Sequence, residues 1–589
     1  MCGFIGTYGF IPNEKLKRLS LQSLKFRGPD KENSYINDNL WIGFKRLAIN
    51  DLSDKGLQPF VSEDDNTIIV FNGEIYNYIS LKNELIQDGI KLKSSCDGEI
   101  LISLFNKYQK KFFEKIYGMY SIVVYDKKNQ EVILARDHVG MKPLYFYHQN
   151  KKLIFSSNLE AIKIVLKEFN YHLEIDENSL ACSLSLGYVP APQTIYKSIS
   201  SVEPSKFVVI KQNILSSFKH WNPSLNDEIE FNYEEFEYLL TKIVKEHTLS
   251  DVPVSLLLSS GADSTSLGYF LNKLNTHTTA INLDFENKIG FSEKEQAEKI
   301  SNFFGFDFNY LTIKQDDVFK NCEDAHSKSY NPNLYSALVT YFKLSESVSK
   351  NYKVCLGGDG GDELFGGYNW YESSPNFKQK LKELLLNKKY GEYKRFSKKS
   401  FFHNHAAKVF PRFLPYEINK LLNIDINFDD EAMISRLQNN FINGVDETKA
   451  TRYMDLITFT SNSICQKIDN MSMNFSLEVR CPFLDRRLIE YVFKLKNFNY
   501  NCSEKFILKK ILKNNLSDEL RSNKKFGFSM KGLDKVENSK IIDKIKSLYF
   551  YNDYIDHNYF NKLISQKKGF FKEKLWAILF LSYWYEENK

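Results

Sequence analysis

The chain begins MCGFIG, and Cys2 is the first residue whose side chain could do chemistry. Removal of Met1 would place a thiol and a free α-amine on one residue. An α-amine titrates near pH ~7.7–8.0, so it can act as a base beside its own nucleophile. The simpler interpretation is a small apolar residue that starts a buried strand, which is the usual role of a single cysteine. Cys2 alone does not decide between the two.

Further polar stretches follow in the first hundred residues: RGPD (27–30), FKRLAIND (44–51), NGEIYN (72–77) and SCDGE (95–99). Covalent hydrolysis of a carboxamide needs a nucleophile, a base and hydrogen-bond donors for the oxyanion. Each stretch alone is typical of an ordinary turn. The chemistry is indicated only by their combination.

Two Gly- and acid-rich stretches of the second half could bind phosphate. SSGADSTSLG (259–268) lies between a predicted strand and a predicted helix, and LGGDGGDELFGGY (356–368) follows a later strand. The first lacks the lysine of GxxxxGK[ST], so a P-loop is not predicted. A Ser/Gly turn that caps a helix is the simpler interpretation of one loop. Two loops at the carboxyl edge of one sheet instead predict a nucleotide crevice.

The bulk composition excludes several classes of protein. The 589 residues are 43% apolar and 26% charged, which is typical of a globular chain with two or more domains. A net charge of +6 predicts no nucleic-acid partner. The eight cysteines form no CxxC pair, which favours a reducing cytoplasm. The apolar run at 575–585 is shorter than the ~20 residues of a membrane span and predicts a core helix. We therefore expect a cytoplasmic protein without a membrane partner.

The elements that must position these residues differ between the two halves. Short apolar runs at 67–78, 119–126, 131–137 and 143–148 alternate with turns and helical patterns, which predicts a layered α/β sandwich. From about 230, strands at 252–258, 278–285 and 353–358 alternate with longer helices, which predicts a doubly wound parallel sheet. We place the domain boundary between 205 and 230. The region 375–450 has no clear pattern.

The motifs of the first half resemble the N-terminal glutaminase domain of class II glutamine amidotransferases, and the likeness extends through 118–147. The two later loops resemble those of asparagine synthetases and related ATP pyrophosphatases. Matches at 187–196, 466–488 and 523–530 extend the likeness over most of the chain. The resemblance implies a four-layer α/β/β/α glutaminase domain of the N-terminal nucleophile (Ntn) type over 1–215. It implies a doubly wound parallel-sheet ATP-pyrophosphatase domain with extra helices over 216–589.

The resemblance also implies roles for individual residues of the glutaminase half. Cys2 would be the nucleophile, while Asn72 and Gly73 would form the oxyanion hole. Arg46 would pair with the α-carboxylate of glutamine, and the carboxylates of Glu74 and Asp97 would hold its α-ammonium. The implied glutamine-binding set is Arg46, Leu47, Ile49, Asn72, Gly73, Glu74 and Asp97.

In the second half, the resemblance implies binding of ATP and Mg²⁺. The implied ATP-binding set is Leu258, Ser259, Gly261, Asp263, Ser264, Ile281, Gly357 and Gly358. Asp263 and Asp362 would share the Mg²⁺. Asp359 stands at the position of a catalytic acid that orients ammonia or manages its proton. Lys525 aligns with the lysine that neutralises the acyl-adenylate transition state.

Several positions depart from the family pattern. Ser260 replaces a glycine of the first loop, and Gly357, Asn470 and Asn158 stand where serine, arginine and glutamate are usual. SYNPNLYSAL (329–338) has no carboxylate, whereas many relatives have an acidic stretch there, near the acceptor substrate.

Three hypotheses follow for the function. In the first, glutamine is hydrolysed, ammonia travels internally, and an ATP-activated carboxylate, expected to be that of aspartate, becomes an amide with release of AMP and pyrophosphate. The second keeps this chemistry but takes another acceptor, such as a sugar uronate of surface polysaccharides. The third is a non-catalytic or regulatory relative whose synthetase half has decayed. The sequence leaves a homodimer open.

Overall fold

The computed structural model describes residues 1–169, 171–285, 293–313, 317–368, 371, 413–429, 445–498, 504–521, 533–567 and 571–589. Its strands form three sheets. Two six-stranded sheets come from the first 219 residues, and one five-stranded sheet comes from the second half. The two halves predicted from the sequence therefore have different architectures.

Twelve strands build the first two sheets. They are β1 (Cys2–Tyr8), β2 (Lys31–Ile36), β3 (Leu40–Arg46), β4 (Phe60–Val61), β5 (Thr67–Ile75), β6 (Gly118–Asp126), β7 (Glu131–Arg136), β8 (Tyr145–Gln149), β9 (Lys152–Ser156), β10 (Ile199–Ser201), β11 (Lys206–Lys211) and β12 (Ile214–Lys219). The first sheet has the order β10-β8-β9-β1-β3-β2, and the second has the order β12-β11-β7-β6-β5-β4. Neighbouring strands in both sheets are antiparallel.

The two sheets pack face to face between two layers of helices. Phe4 of β1 and Phe44 of β3 share one apolar cluster with Val70 of β5 and Val123 of β6, which places this cluster between the sheets. Helices α1 (Glu14–Ser23) and α4 (Leu159–Glu168) pack on the outer side of the first sheet, and helices α2 (Tyr78–Gln87) and α3 (Ile100–Tyr108) pack on the outer side of the second. β5, β6 and β7 are buried along their whole length because both of their faces are covered. The four-layer α/β/β/α prediction is confirmed.

Strand β12 lies across the boundary predicted at 215–216. It pairs with β11 over its full length, from Lys211 opposite Ile214 to Lys206 opposite Lys219. The second sheet therefore extends to Lys219, a few residues beyond the predicted end of the first domain.

The third sheet is parallel, as the sequence predicts. Its strands are β13 (Val254–Leu257), β14 (Thr279–Phe285), β15 (Asp307–Ile313), β16 (Val354–Leu356) and β17 (Glu478–Arg480), in the order β15-β14-β13-β16-β17. The chain moves outward from β13 to β15 and then returns to the other side of β13. The strand order therefore reverses between β13 and β16, where doubly wound sheets open a ligand crevice at their carboxyl edge.

The described helices of the second half surround this sheet. After α5 (Glu177–Leu186) they are α6 (Tyr233–His247), α7 (Ala262–Lys273), α8 (Glu293–Phe304), α9 (Val318–Ser327), α10 (Ala337–Val348), α11 (Gly361–Phe365), α12 (Pro415–Leu421), α13 (Glu447–Asp455), α14 (Gln466–Met473), α15 (Arg486–Lys494), α16 (Phe506–Asn515), α17 (Asn538–Lys546), α18 (Tyr549–Tyr554), α19 (His557–Gln566) and α20 (Phe571–Asn588). A π-helix, Leu456–Cys465, joins α13 to α14. The run at 575–585 lies in α20 and is buried, as predicted. None of the described helices is long and apolar enough to span a membrane. Most of the unpatterned region 375–450 lies outside the described residues.

Candidate active sites

Cys2 begins β1 at the centre of the first sheet, directly opposite Arg46 of β3. Its backbone N–H donates to Asn72 Oδ1 at 3.0 Å, and its carbonyl accepts from Arg27 Nε at 3.3 Å. Burial raises the pKa of the Cys2 thiol, although the N-terminal ammonium of Met1 opposes this rise. A buried thiol of this kind needs a neighbouring base or cation before it becomes a nucleophile. The structure thus brings Cys2 and Asn72 together as the motifs predict.

Gly73 follows Asn72 in β5, and its backbone conformation and surroundings leave no room for a side chain. Its φ of +150° lies outside the region that side chains favour, and an added Cβ would overlap the carbonyl oxygen of Met119 in β6. The Asn72 side chain is fully buried, and its amide nitrogen lies 3.5 Å from Ser121 Oγ. Both predicted oxyanion-hole residues are therefore fixed by the pairing of β5 with β6.

Arg46 is buried and holds the loop that follows β3. Its guanidinium donates to the backbone carbonyls of Asn50, Asp51 and Ser53, the first at 3.3 Å. An added Cβ at Gly56 would overlap this guanidinium, so the glycine makes room for it. The predicted pairing of Arg46 with a substrate carboxylate would use a side chain that the loop already orients.

Leu47 and Ile49 lie on the same loop and are buried. The Leu47 N–H donates to the Met1 carbonyl at 3.2 Å, and the Ile49 carbonyl accepts from the N–H of Asp251 at 3.0 Å. The second contact joins the predicted glutamine site to the other half of the chain.

Two buried carboxylates, those of Glu74 and Asp97, also belong to the predicted site. Glu74 Oε2 accepts from Asn50 Nδ2 at 2.6 Å, and Asp97 Oδ2 accepts from the N–H of Ile75 at 2.8 Å. Burial raises the pKa of Glu74 well above its usual value and raises the pKa of Asp97 to about 6. A cationic ligand would favour the charged form of both groups.

Two residues of the matched stretch 466–488 complete this cluster, Glu478 and Arg480 of β17, and the sequence analysis gave neither of them a role. Arg480 Nη2 lies 3.3 Å from Glu74 Oε1, and its Nε donates to Glu478 Oε1 at 2.6 Å. The N-terminal ammonium of Met1 donates to Glu478 Oε2 at 2.7 Å. Burial alone would raise the pKa of Glu478, but the Met1 ammonium and Arg480 lower it to about 2. The alternation of SLEVR places both side chains on one face of the strand, and this was the available signal.

Strand β17 also contacts the second predicted site. The carbonyl of Arg480 accepts from the N–H of Gly357 at 2.9 Å, directly after β16. The Arg480 side chain therefore meets the glutaminase half while its backbone holds the loop that contains Asp359.

A buried ion pair joins the two halves nearby. Arg27 donates to both carboxylate oxygens of Asp469, at 2.7 and 3.1 Å, and both side chains are 1% exposed. Lys142 Nζ lies 3.7 Å from the same carboxylate. Two cations thus share one carboxylate inside the interface.

The first predicted nucleotide loop connects β13 to the start of α7. The Ser259 N–H donates to Ser264 Oγ at 3.0 Å, the two hydroxyls lie 2.9 Å apart, and the Gly261 N–H donates to Ser259 Oγ at 3.1 Å. Leu258 and Ile281 are neighbours, because the Leu258 N–H donates to the Ile281 carbonyl at 2.9 Å. This turn places backbone and hydroxyl groups at the start of a helix, where phosphate groups bind.

Asp263 and Asp362 converge on one ammonium group, that of Lys505. Lys505 forms an ion pair with Asp263 and lies 2.7 Å from Asp362 Oδ1. An added Cβ at Gly361 would lie 2.5 Å from Asp263 Oδ1, so this glycine allows the close approach. Lys505 belongs to none of the motifs and was missed. In the part of the chain that the structure describes, no cluster of three or more His, Cys, Asp or Glu side chains could hold a metal ion.

Asp359 accepts a hydrogen bond from the Tyr341 hydroxyl and lies 3.3 Å from Lys467 Nζ. An added Cβ at Gly357 would lie 3.2 Å from Asp359 Oδ2 and 3.6 Å from the Tyr341 hydroxyl. A side chain at position 357, where the family usually has a serine, would therefore lie next to the hydrogen bond between Tyr341 and Asp359.

Gly358 packs against Asp263, since an added Cβ there would lie 3.0 Å from the Asp263 Cβ. Lys525 lies outside the described residues.

The stretch 329–338, which lacks carboxylates, packs against the segment that joins α5 to β10 in the first half. Asn331 Oδ1 accepts from the N–H of Ile195 at 2.9 Å, and the Tyr335 hydroxyl donates to the Leu186 carbonyl at 3.0 Å. Asn470, which replaces the usual arginine, is buried, and its side-chain amide has no hydrogen-bond partner among the described residues.

The fold and the first site define an Ntn-type amidotransferase half joined to a nucleotide-binding parallel-sheet half. Comparison with known families agrees with this class. Residues 1–221 match the model of the glutamine amidotransferase domain, and residues 235–586 match that of asparagine synthase. The chain belongs to the asparagine synthase family, and it is a glutamine-dependent carbon–nitrogen ligase that uses ATP.

Relatives match along most of the chain at modest identity. Asparagine synthetase (glutamine-hydrolyzing) 1 of Bacillus subtilis is 26% identical over all of this chain and 97% of its own length. Asparagine synthetase (glutamine-hydrolyzing) 3 of the same organism is 26% identical over 89% of this chain and 86% of its own length. Amidase chry2 of Gibberella zeae is 28% identical over 85% of this chain and 83% of its own length.

Proposed function

We propose that the chain hydrolyses glutamine at Cys2 and transfers the ammonia to the adenylated side-chain carboxylate of aspartate, which gives asparagine, AMP and pyrophosphate. The observation that carries this proposal is the position of β17. Its residue Arg480 contacts Glu74 of the glutaminase site and holds Gly357 of the nucleotide loop. One three-residue strand therefore touches both sites, as expected of an enzyme that passes a product from one to the other.

In the glutaminase half, Cys2 attacks the carboxamide carbon, and its own α-amine, freed by removal of Met1, accepts the thiol proton. The amine passes this proton to the amide nitrogen, the C–N bond breaks and ammonia leaves, and water then hydrolyses the thioester to glutamate. Asn72 and the backbone N–H of Gly73 stabilise the oxyanion. Glu74 and Asp97 bind the α-ammonium of the substrate, and Arg46 binds its α-carboxylate. Charged groups at both ends of the pocket explain selection of a free amino acid over a peptide.

In the synthetase half, a carboxylate becomes a good electrophile only after it is adenylated. The Ser259, Gly261 and Ser264 turn binds the pyrophosphate part of ATP, and Asp359 orients the incoming ammonia. Lys467 and Tyr341, which both contact Asp359, fix the direction of its carboxylate. Leu258 and Ile281 line the nucleotide pocket from neighbouring strands.

Mg²⁺ fits the chemistry of the carboxylates at this site. Asp263 and Asp362 approach one cation, the Lys505 ammonium, closely enough for both to pair with it. Mg²⁺ is commonly held by one or two carboxylates together with substrate phosphates. Asp263 and Asp362 would hold the ion, and it would neutralise charge that develops on the pyrophosphate. The Lys505 ammonium compensates the charge of the two aspartates at the position where the ion would bind.

The acceptor is the least constrained part of this function. The stretch 329–338 presents Asn331, Asn333 and Tyr335 to the interior of the protein and offers no carboxylate of its own. Amidase chry2 is as similar to this chain as the two synthetases are and is named as an amidase, so similarity alone does not select aspartate as the acceptor. The neutral stretch favours a second candidate acceptor, a sugar uronate.

The test is an acceptor assay with amide-¹⁵N glutamine, ATP and Mg²⁺. We expect [¹⁵N]asparagine and one pyrophosphate per amide formed when aspartate is present. If a uronate gives a labelled uronamide while aspartate gives no labelled asparagine, the acceptor is the uronate and not aspartate. Glutamate formation without pyrophosphate for any acceptor would contradict ligase function.

A further inference from the structure

The uncleaved Met1 occupies a buried position that resembles a binding site for an α-amino acid. Its ammonium is 0% exposed and donates to Glu478 Oε2 at 2.7 Å. Its carbonyl accepts from the Leu47 N–H at 3.2 Å. An α-ammonium and the adjacent carbonyl are thus held by a carboxylate and a backbone amide. The same two groups are available at the amino-acid end of free glutamine.

The charges around Met1 require a cation at this position. Glu74, Asp97 and Glu478 are all buried, and Arg480 and the Met1 ammonium are the cations that act on all three pKa values. Removal of Met1 would take its ammonium away from the three carboxylates and leave Arg480, together with Lys142, which also lowers the pKa of Glu478, and the new α-amine of Cys2. Uncompensated buried charge is costly, so the mature pocket favours a ligand that brings an ammonium group.

In this cluster, Glu478 is the carboxylate that accepts a hydrogen bond from the Met1 ammonium. Glu74 already accepts from Asn50 and pairs with Arg480, and Asp97 accepts from a backbone N–H. Glu478 Oε1 is held by Arg480, whereas the described partner of its Oε2 is the Met1 ammonium. While Met1 is present, its ammonium and Arg480 lower the pKa of Glu478, and the ammonium of a bound ligand would act in the same direction.

We propose that Glu478, which belongs to the synthetase half, is a specificity-determining residue of the glutaminase site and binds the α-ammonium of glutamine together with Glu74 and Asp97. This inference rests on the proposed glutaminase function. It follows that the glutamine pocket is complete only when β17 is docked against the first half. It also follows that an uncleaved Met1 blocks the pocket, because its ammonium occupies the place of the substrate's ammonium.

The test compares two ligands that differ in the α-ammonium alone, glutamine and glutaramate. Binding is measured by calorimetry on the full Cys2→Ala chain, after intact mass shows that Met1 is absent. Glu478→Gln should weaken glutamine binding roughly 10- to 100-fold, the value of a charge-assisted hydrogen bond. It should leave glutaramate binding unchanged. Asp469→Asn removes another buried carboxylate of the same interface and should not alter the ratio between the two ligands.

An equal loss for glutamine and glutaramate in Glu478→Gln would overturn the proposal, because it would show a structural role. A second measurement is independent of this variant. The chain that retains Met1, produced while methionine aminopeptidase is inhibited, should not bind glutamine, and binding equal to that of the mature chain would also overturn the proposal. If the mature chain with Cys2 intact binds glutamine without hydrolysing it, the proposed function fails while the ligand ratio still decides the role of Glu478.

Discussion

The ion pair between Arg27 and Asp469 should stabilise the contact between the two halves. Both side chains are 1% exposed, and the guanidinium makes two hydrogen bonds to the carboxylate, at 2.7 and 3.1 Å. Removal of one partner leaves the other charge buried, which costs about 3–5 kcal/mol. We therefore expect Asp469→Leu, which leaves the Arg27 guanidinium without its carboxylate, to lower the free energy of unfolding by about that amount. Arg27→Met should lower it by less, because Lys142 still lies 3.7 Å from the Asp469 carboxylate.

The double variant gives the sharper expectation. With both charges removed, neither partner is left unpaired. The double variant should therefore lose less free energy of unfolding than the sum of the two single losses, by about 2–3 kcal/mol. It should not return to the wild-type value, because Lys142, 3.7 Å from Asp469, loses its carboxylate. The assay is equilibrium urea unfolding of the wild type and the three variants. Additive losses, or single losses below ~1 kcal/mol, would refute the reasoning.

Three further expectations concern the two sites. Burial raises the pKa of Asp97 to about 6, so protonation of Asp97 should raise the KM for glutamine as the pH falls below 6, which steady-state glutaminase assays over pH check. The native state holds this proton between about pH 4 and 6 and the unfolded state does not, so the stability that Asp97 contributes should fall as the pH rises through this range, which urea unfolding over pH checks. Gly73→Ala should abolish glutamine-dependent synthesis but leave ammonia-dependent synthesis intact, and equal loss of both would contradict the role given to the β5 backbone. Lys505→Met removes the ammonium that pairs with both Asp263 and Asp362, so it should lower the Tm of the nucleotide-free protein. Added Mg²⁺ should raise the Tm of the variant more than that of the wild type. An equal Mg²⁺ response would show that the lysine and the ion do not use the same two carboxylates.

The sequence predicts those parts of the molecule whose signals are local. The layered first half and the parallel sheet follow from strand and helix patterns. Cys2, Asn72 and Gly73 could be placed in one site because they belong to motifs in a recognisable order. The position 215, chosen within the predicted range 205–230, divides β12, because 214–219 is an exposed edge strand whose apolar residues Ile214, Leu215 and Phe218 do not alternate.

The remaining contacts join residues that are far apart along the chain. Arg480 contacts Glu74, and Glu478 contacts the Met1 ammonium, from the far end of the sequence, and no spacing rule connects these residues. Lys505 meets Asp263 from a segment without a motif, in a left-handed backbone conformation at φ +60°. Such contacts depend on how the two halves dock and on how the loops return to the sheet edge, and local patterns do not encode either.

In the proposed reaction, amide nitrogen released at Cys2 reaches the second site inside the protein. The ¹⁵N content of the product amide, when amide-¹⁵N glutamine and excess unlabelled ammonium are supplied together, tests this transfer. We expect a largely ¹⁵N-labelled product with the wild type. With Cys2→Ala we expect an unlabelled product at an undiminished ammonia-dependent rate. An unlabelled product with the wild type, or loss of ammonia-dependent synthesis in a folded Cys2→Ala protein, would contradict the proposed reaction.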